Sequence, residues 1–350
     1  METAAIGLAI PQSLLLCGRD DPMTNRRTVL HGIAWLALPT VARGQPAQRM
    51  RRVGVLSAFP ADQVAAFPKQ LRAELEKLGW TDGRTITVLE PRTSEGSNDR
   101  LPALAAEVVG LVPDVIAVFS APGTRALMQI TSTIPIIMVG VGDPVAYGLV
   151  RSYTEPGGNV TGTSYLVNEL SSKTLGFLKE AAPHITSVAV FVNSTNEGGE
   201  PILKAVQATG NSLGIRIHRL EVRTAADFEP AYAAIRRSGT ESLLLSPDPL
   251  VLSQRGALGR FAADQRLPLA IVGPARFLDA GGLLTYGAPF NQFTAATARY
   301  IDRVLRGANP ARLPIEQPTK FELGVNLKTA TALGLTISQA LLLRADELIQ

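Results

Sequence analysis

Cysteine occurs once in the 350 residues, at Cys17, and histidine three times. Cys17 sits in Leu14-Leu15-Leu16-Cys17, ahead of the cleavage point of an export signal. The mature chain is therefore expected to carry no cysteine, which excludes disulfides, thiolate metal sites and cysteine nucleophiles. His31 falls within the signal, His184 follows Pro183 in a helix-to-strand loop, and His218 alternates with Arg216 along a strand. None stands near a serine in a nucleophile-elbow sequence, and neither H-E-x-x-H nor a Walker-type G-x-x-x-x-G-K-[ST] occurs. Gly140-x-Gly142 follows a strand but lacks the third glycine of a dinucleotide fingerprint. Basic runs are missing as well. The net charge is only +4, and Arg and Lys are scattered among Asp and Glu without interleaved aromatics, which argues against nucleic acid as a partner. Nothing here marks an enzyme, and no cofactor or metal is expected.

What is present is a globular composition, with 46% hydrophobic and 18% charged residues. The N-terminal region reads as a processing segment. Met23-Thr24-Asn25-Arg26-Arg27 supplies a charged start, residues 29–41 an apolar stretch too short to span a bilayer, and Ala42-Arg43-Gly44 the small residues before cleavage at Gln45. Arg26-Arg27 points to the twin-arginine route into the periplasm. Translation is expected to start at Met23, so residues 1–44 are assigned to leader and signal peptide.

Beyond the signal, the chain says the same thing twice. Residues 53–162 run strand, helix, strand, helix, strand, helix, strand, and residues 187–286 repeat that order, with equivalent points about 130 residues apart. Val53-Gly54-Val55-Leu56-Ser57 corresponds to Val188-Ala189-Val190-Phe191-Val192-Asn193, both short apolar runs suited to buried parallel strands. The first helices, 65–78 and 201–213, stop at Gly79 and Gly214. The alternation implies an α/β chain of two Rossmann-like lobes with parallel central sheets. The Gly pairs Gly157-Gly158 and Gly281-Gly282 are candidate points where the chain crosses between lobes. Lobe 1 is assigned to residues 45–162 plus about 286–318 and lobe 2 to 163–285. Residues 319–350 form a strand and helix of unassigned lobe.

Parallel sheets bind ligands beyond the carboxyl ends of their strands, in the crevice between lobes. Those ends are rich in Ser, Thr, Asn, Asp and Gly: Ser57, Ser120, Thr124, Gly142 and Asp143 in the first half, Asn193, Asn196 and Asp248 in the second. Helix N-termini would bring free N–H groups to a carboxylate there, and Asp143 or Asp248 would receive an ammonium group. Phe59, Phe119, Tyr165 and Tyr286 lie near strand ends and are candidates to stack on a ligand. Helix capping and core packing are the competing explanations for these same residues.

Several segments together resemble the ABC-transporter substrate-binding proteins of the tryptophan-binding (TrpX-like) group. These are Asp99-Arg100-Leu101-Pro102-Ala103-Leu104-Ala105, Gly142-Asp143-Pro144-Val145, Pro156-Gly157-Gly158-Asn159-Val160-Thr161-Gly162 and, above all, Leu313-Pro314-Ile315-Glu316-Gln317-Pro318-Thr319-Lys320-Phe321-Glu322-Leu323. The resemblance runs from about Arg51 to the end. It implies the type I periplasmic binding fold with a multi-strand hinge, a monomer, and capture of a small-molecule ligand by hinge closure. It also implies delivery to an inner-membrane permease driven by a separate ATPase. The ligand is expected to be small and polar or zwitterionic, amino-acid-like, with aromatic members in range. Carried over, Ser57, Ser120, Thr124, Gly142, Asp143, Asn193, Asn196, Asp248 and Tyr286 fall on the pocket-edge loops. Two rival readings stand beside this one: an extracytoplasmic ligand sensor for a membrane receptor, and a secreted α/β enzyme.

Overall fold

A computed structural model describes residues 49–350. The export signal, Met23, Cys17 and the cleavage before Gln45 lie outside these residues. The first sheet consists of β1 (Arg51–Ser57), β2 (Ile86–Val88), β3 (Arg92–Thr93), β4 (Val115–Phe119), β5 (Ile136–Val141) and β6 (Val160–Ser164). Its order is β2-β1-β4-β5-β6, with β3 also beside β1, and every pairing is parallel. Helices α1 (Ala61–Val64), α2 (Phe67–Lys77), α3 (Leu101–Gly110) and α4 (Ala121–Ile130) connect these strands. Strands β1 and β4 are buried nearly end to end, which is why they read as unbroken apolar runs.

The chain then leaves this sheet. Helix α5 (Val167–Ala181) follows β6 in sequence but packs on the second sheet. That sheet runs β7 (Ser187–Asn193), β8 (Arg216–Val222), β9 (Leu243–Leu245), β10 (Leu269–Val272) and β11 (Leu284–Gly287), linked through α6 (Gly199–Leu213), α7 (Phe228–Ser238), α8 (Pro249–Ser253) and α9 (Arg255–Asp264). After β11 the chain returns: α10 (Phe290–Leu305) lies against β4, β5, β6 and α2 of the first lobe. A third passage leads to β12 (Glu322–Asn326), α11 (Leu327–Leu333), α12 (Gln339–Leu342) and β13 (Glu347–Ile349). Both late strands join the second sheet, whose order is β13-β12-β11-β10-β9-β7-β8, so the C-terminal stretch belongs there. Only the β11–β12 pairing is antiparallel in this sheet.

The doubled strand–helix order expected from sequence is present, with three adjustments. The helix expected over 65–78 is present as α2, shortened to 67–77 and preceded by the separate turn of α1, and the region expected as one helix over 254–265 is preceded by the separate turn of α8. The Gly pairs are not the crossing points. Each precedes a short strand, and the chain crosses after that strand, at residues 165–166 and 288–289. Gly162 sits at φ +128°, where an added Cβ would lie 2.3 Å from the Met138 carbonyl oxygen on the paired strand, so the approach of β6 to β5 requires glycine.

Candidate functional site

The strand ends of both sheets meet in a cavity of about 140 Å³. One wall is set by β4 and α4. Ser120 ends the strand at φ +109°, a region that non-glycine residues rarely enter, and its Oγ accepts the Gly123 N–H at 3.2 Å to cap α4. The opposite wall is a polar cluster built from two loops, those after β7 and β9. Asp248 caps α8, accepting the N–H groups of Leu250 at 2.9 Å and Val251 at 3.1 Å. Its carboxyl also accepts Asn196 Nδ2 at 2.7 Å and Asn193 Nδ2 at 3.2 Å. The asparagines are fixed in turn: Asn193 Oδ1 accepts from Thr195 N and Oγ1, and Asn196 Oδ1 from Gly198 N. Burial pushes the Asp248 carboxyl above its ordinary value, opposed chiefly by the Asn196 hydrogen bond.

The remaining walls are mostly apolar. Phe119 and Phe290 stack at 6.0 Å between centroids, Phe67 backs them edge-on to Phe119 at 4.7 Å, and Phe59, Phe277, Phe293 and Tyr147 add to the aromatic lining. Tyr165 packs on Phe293 at 5.6 Å, and burial pushes its hydroxyl well above the usual tyrosine value. The Ala288 N–H near it counters that rise, yet no group meets hydrogen-bond geometry with the hydroxyl.

Contacts between the lobes close the cleft on two sides. On one, Arg255 pairs with Asp62 at 2.5 Å, Gln63 Nε2 donates to the Leu252 carbonyl at 3.1 Å, and Arg276 Nη2 donates to the Gln63 carbonyl at 3.2 Å. The Arg276 guanidinium also lies 4.7 Å over the Phe290 ring. On the other side, Arg125 pairs with Glu197 at 2.6 Å and Asn98 Nδ2 donates to Thr195 Oγ1 at 2.9 Å.

Of the residues singled out from sequence, Phe59, Ser120, Gly142, Tyr165, Asn193, Asn196 and Asp248 line this cavity. Phe119 lines it too, while four others do not. Ser57 is fully buried at the end of β1 and accepts the Phe59 N–H in a tight turn. Thr124 is buried one helical turn beyond Ser120 and donates back to the Ser120 carbonyl at 2.8 Å. Asp143 turns away to accept the N–H groups of Val145 and Ala146 and the Tyr153 hydroxyl. Tyr286 points to the far face of β11, against Phe177 at 4.9 Å and Phe321 at 6.1 Å. Asp143 is therefore not placed to receive a ligand's ammonium group. Sequence reasoning missed Gln63, Arg276, Phe290 and Phe293, all on the lining. Arg276 follows the Gly273-Pro274 strand end by two residues, and extending that loop would have found it.

The chain resembles known proteins over nearly this whole region. It is 23% identical over 289 residues to a tyrosine-binding protein of Clostridioides difficile (strain R20291), covering 82% of each chain. A conserved domain protein from Vibrio cholerae O1 biovar El Tor superposes with a TM-score of 0.79 at 25% identity, covering 86% of this chain and all of that one. An ABC domain from Streptococcus pneumoniae in complex with L-Trp superposes at 0.78 with 21% identity over the same shares. The two lobes and their parallel sheets are the type I periplasmic binding protein fold. The family model described as "ABC transporter substrate binding protein" matches residues 52–349, and ABC substrate-binding proteins are extracytoplasmic. This chain belongs to the ABC transporter substrate-binding protein family.

Proposed function

We propose that the protein is the periplasmic solute-binding component of an ABC importer, delivering its ligand to an inner-membrane permease powered by a separate ATPase. The ligand is an amino-acid-sized solute with a carboxylate and a single ring. The observation that carries this is the aromatic-walled cavity of about 140 Å³ between two lobes bridged on both sides. An apolar cavity of roughly 150 Å³ admits benzene, so one ring with a short polar arm matches the space. A relative named for tyrosine supports the same ligand class, and a neighbour in complex with L-Trp supports an aromatic amino-acid-sized ligand more broadly. Binding rather than turnover is favoured by the lining, which contains no histidine, cysteine or lysine. His218 instead bonds Thr240 at 2.9 Å, near the start of β9. The chain's export through the signal at residues 23–44 belongs to the same reading.

Thermal-shift screening against amino acids and aromatic acids tests this. A true ligand stabilises the fold by about 2.7 kcal/mol at a hundred times its Kd. A midpoint unmoved by every compound in both classes would remove this ligand class. Turnover of a bound compound, abolished by Asp248→Ala, would replace the receptor with an enzyme.

A further inference from the structure

The polar groups on the cavity wall are rich in donors and short of free acceptors. Among the described residues, Asp248 is the only carboxylate on the lining. Its Oδ1 accepts the N–H groups of Leu250 and Val251, its Oδ2 accepts Asn196 Nδ2, and both oxygens share Asn193 Nδ2 at 3.2 Å. The amide oxygens of both asparagines are also engaged, by Thr195 and Gly198. A ligand ammonium group brings only donors. On this wall it would compete with Asn193 and Asn196 for Asp248 Oδ2.

Arg276 is the reverse case. Among the described residues it is the only cation on the lining, exposed at the mouth, and it spends one N–H on the Gln63 carbonyl. Its guanidinium is held in place over Phe290 at 4.7 Å and Phe277 at 5.5 Å. Among the described residues no carboxylate lies within 4.0 Å of it, and the neighbouring Asp62 is already paired with Arg255. Although the side chain reaches solvent, partial desolvation of the guanidinium and the charge of Arg255 work against its charged form while Asp62 supports it, and a bound anion would act in the same direction as Asp62. Further in, Ser120 Oγ uses its acceptor side on Gly123, leaving its proton to donate, and the buried Tyr165 hydroxyl has no partner.

Resting on the receptor reading above, we propose that Arg276 determines specificity by binding the ligand's carboxylate, and that the preferred solute is a one-ring carboxylic acid without an α-ammonium group. Among ligands of equal size, an arylalkanoate binds more tightly than the corresponding zwitterionic amino acid.

Calorimetric titration of the protein with 3-phenylpropionate, its primary amide and L-phenylalanine tests this, since all three share ring and chain length. The acid is expected to bind at least about tenfold more tightly than the other two. Arg276→Gln is expected to weaken the acid by about tenfold or more while leaving the amide within about twofold, and Arg276→Lys to recover part of the loss. L-phenylalanine binding as well as the acid overturns the proposal. So does an Arg276→Gln variant that keeps the acid's affinity, or one that weakens acid and amide alike, as a contact serving only lobe closure would. A parallel thermal-shift panel of sugars and other uncharged solutes separates the two levels. Binding confined to that panel overturns this proposal and leaves a solute receptor, whereas no binding by any compound overturns both.

Discussion

Asp248 shows how much a single side chain is asked to do. Its carboxyl caps α8 and fixes Asn193 and Asn196, so one group sets the geometry of a whole wall. Asp248→Asn puts an amide nitrogen against two others, and a loss of about 1–3 kcal/mol in denaturant unfolding is expected, with weaker ligand binding. The same residue has a pH signature. Its folded pKa is raised, so its contribution is largest below the ordinary carboxylate value near about 3.9 and declines as pH rises through the folded value. The Asp248→Asn variant should lose that downward slope in a stability–pH profile. Tyr153 acts at the other extreme. Burial and then the charge of Asp143 push its hydroxyl up to about 12. Its contribution is therefore intact below the usual tyrosine value near about 10 and is lost as pH rises from there to about 12. Thermal melts across this window should show a smaller alkaline loss for Tyr153→Phe. At this scale Asn193, Asn196 and Asp248 were legible in the sequence, because short polar residues follow apolar strands. Ser57, Thr124, Asp143 and Tyr286 share that pattern, yet turn or pleat direction points them away from the cavity, which spacing alone does not encode.

At the scale of elements, the decisive features are where helices are interrupted and where the chain changes sheets. Helix α1, a separate turn ahead of the helix expected over 65–78, carries Asp62 and Gln63 to the opposite lobe, where Arg255, Leu252 and Arg276 hold them. Helix α10 is amphipathic in sequence, but which sheet it covers depends on the crossing after β11. Trp80, just beyond α2, fastens it there by donating to Asp302 at 2.9 Å beneath the Arg306 guanidinium. Trp80→Phe should cost about 1 kcal/mol from this hydrogen bond, measured as a shifted urea midpoint with unchanged slope. Helix α9 depends on Gly259, where an added Cβ would lie 1.6 Å from the Ala280 carbonyl oxygen. Gly259→Ala forces the helix from its neighbour, and about 1–3 kcal/mol of destabilisation is expected by chemical denaturation.

For the whole molecule, the bridges across the cleft bear on how the lobes close. Each is a partly exposed ion pair or single hydrogen bond, worth about 0–1 kcal/mol alone, but together they bias the closed arrangement. Asp62→Ala combined with Glu197→Ala removes an ion pair on each side. The unliganded double variant should scatter X-rays with a larger radius of gyration, and its ligand affinity should fall mainly through that shifted equilibrium. Unchanged scattering would mean that these pairs do not govern closure. The sequence by itself determined the class of structure: alternating apolar runs and amphipathic helices, given twice, leave little but two parallel-sheet lobes, since local periodicity and chain order encode both. It also determined most of the polar chemistry at the strand ends. Only the tertiary structure decided which side chains meet. The pleat of β11, the interruption before α2 and the three crossings bring Arg276, Gln63 and Phe290 together from segments distant in the chain. That encounter depends on how the two lobes pack, and no local pattern of residues carries it.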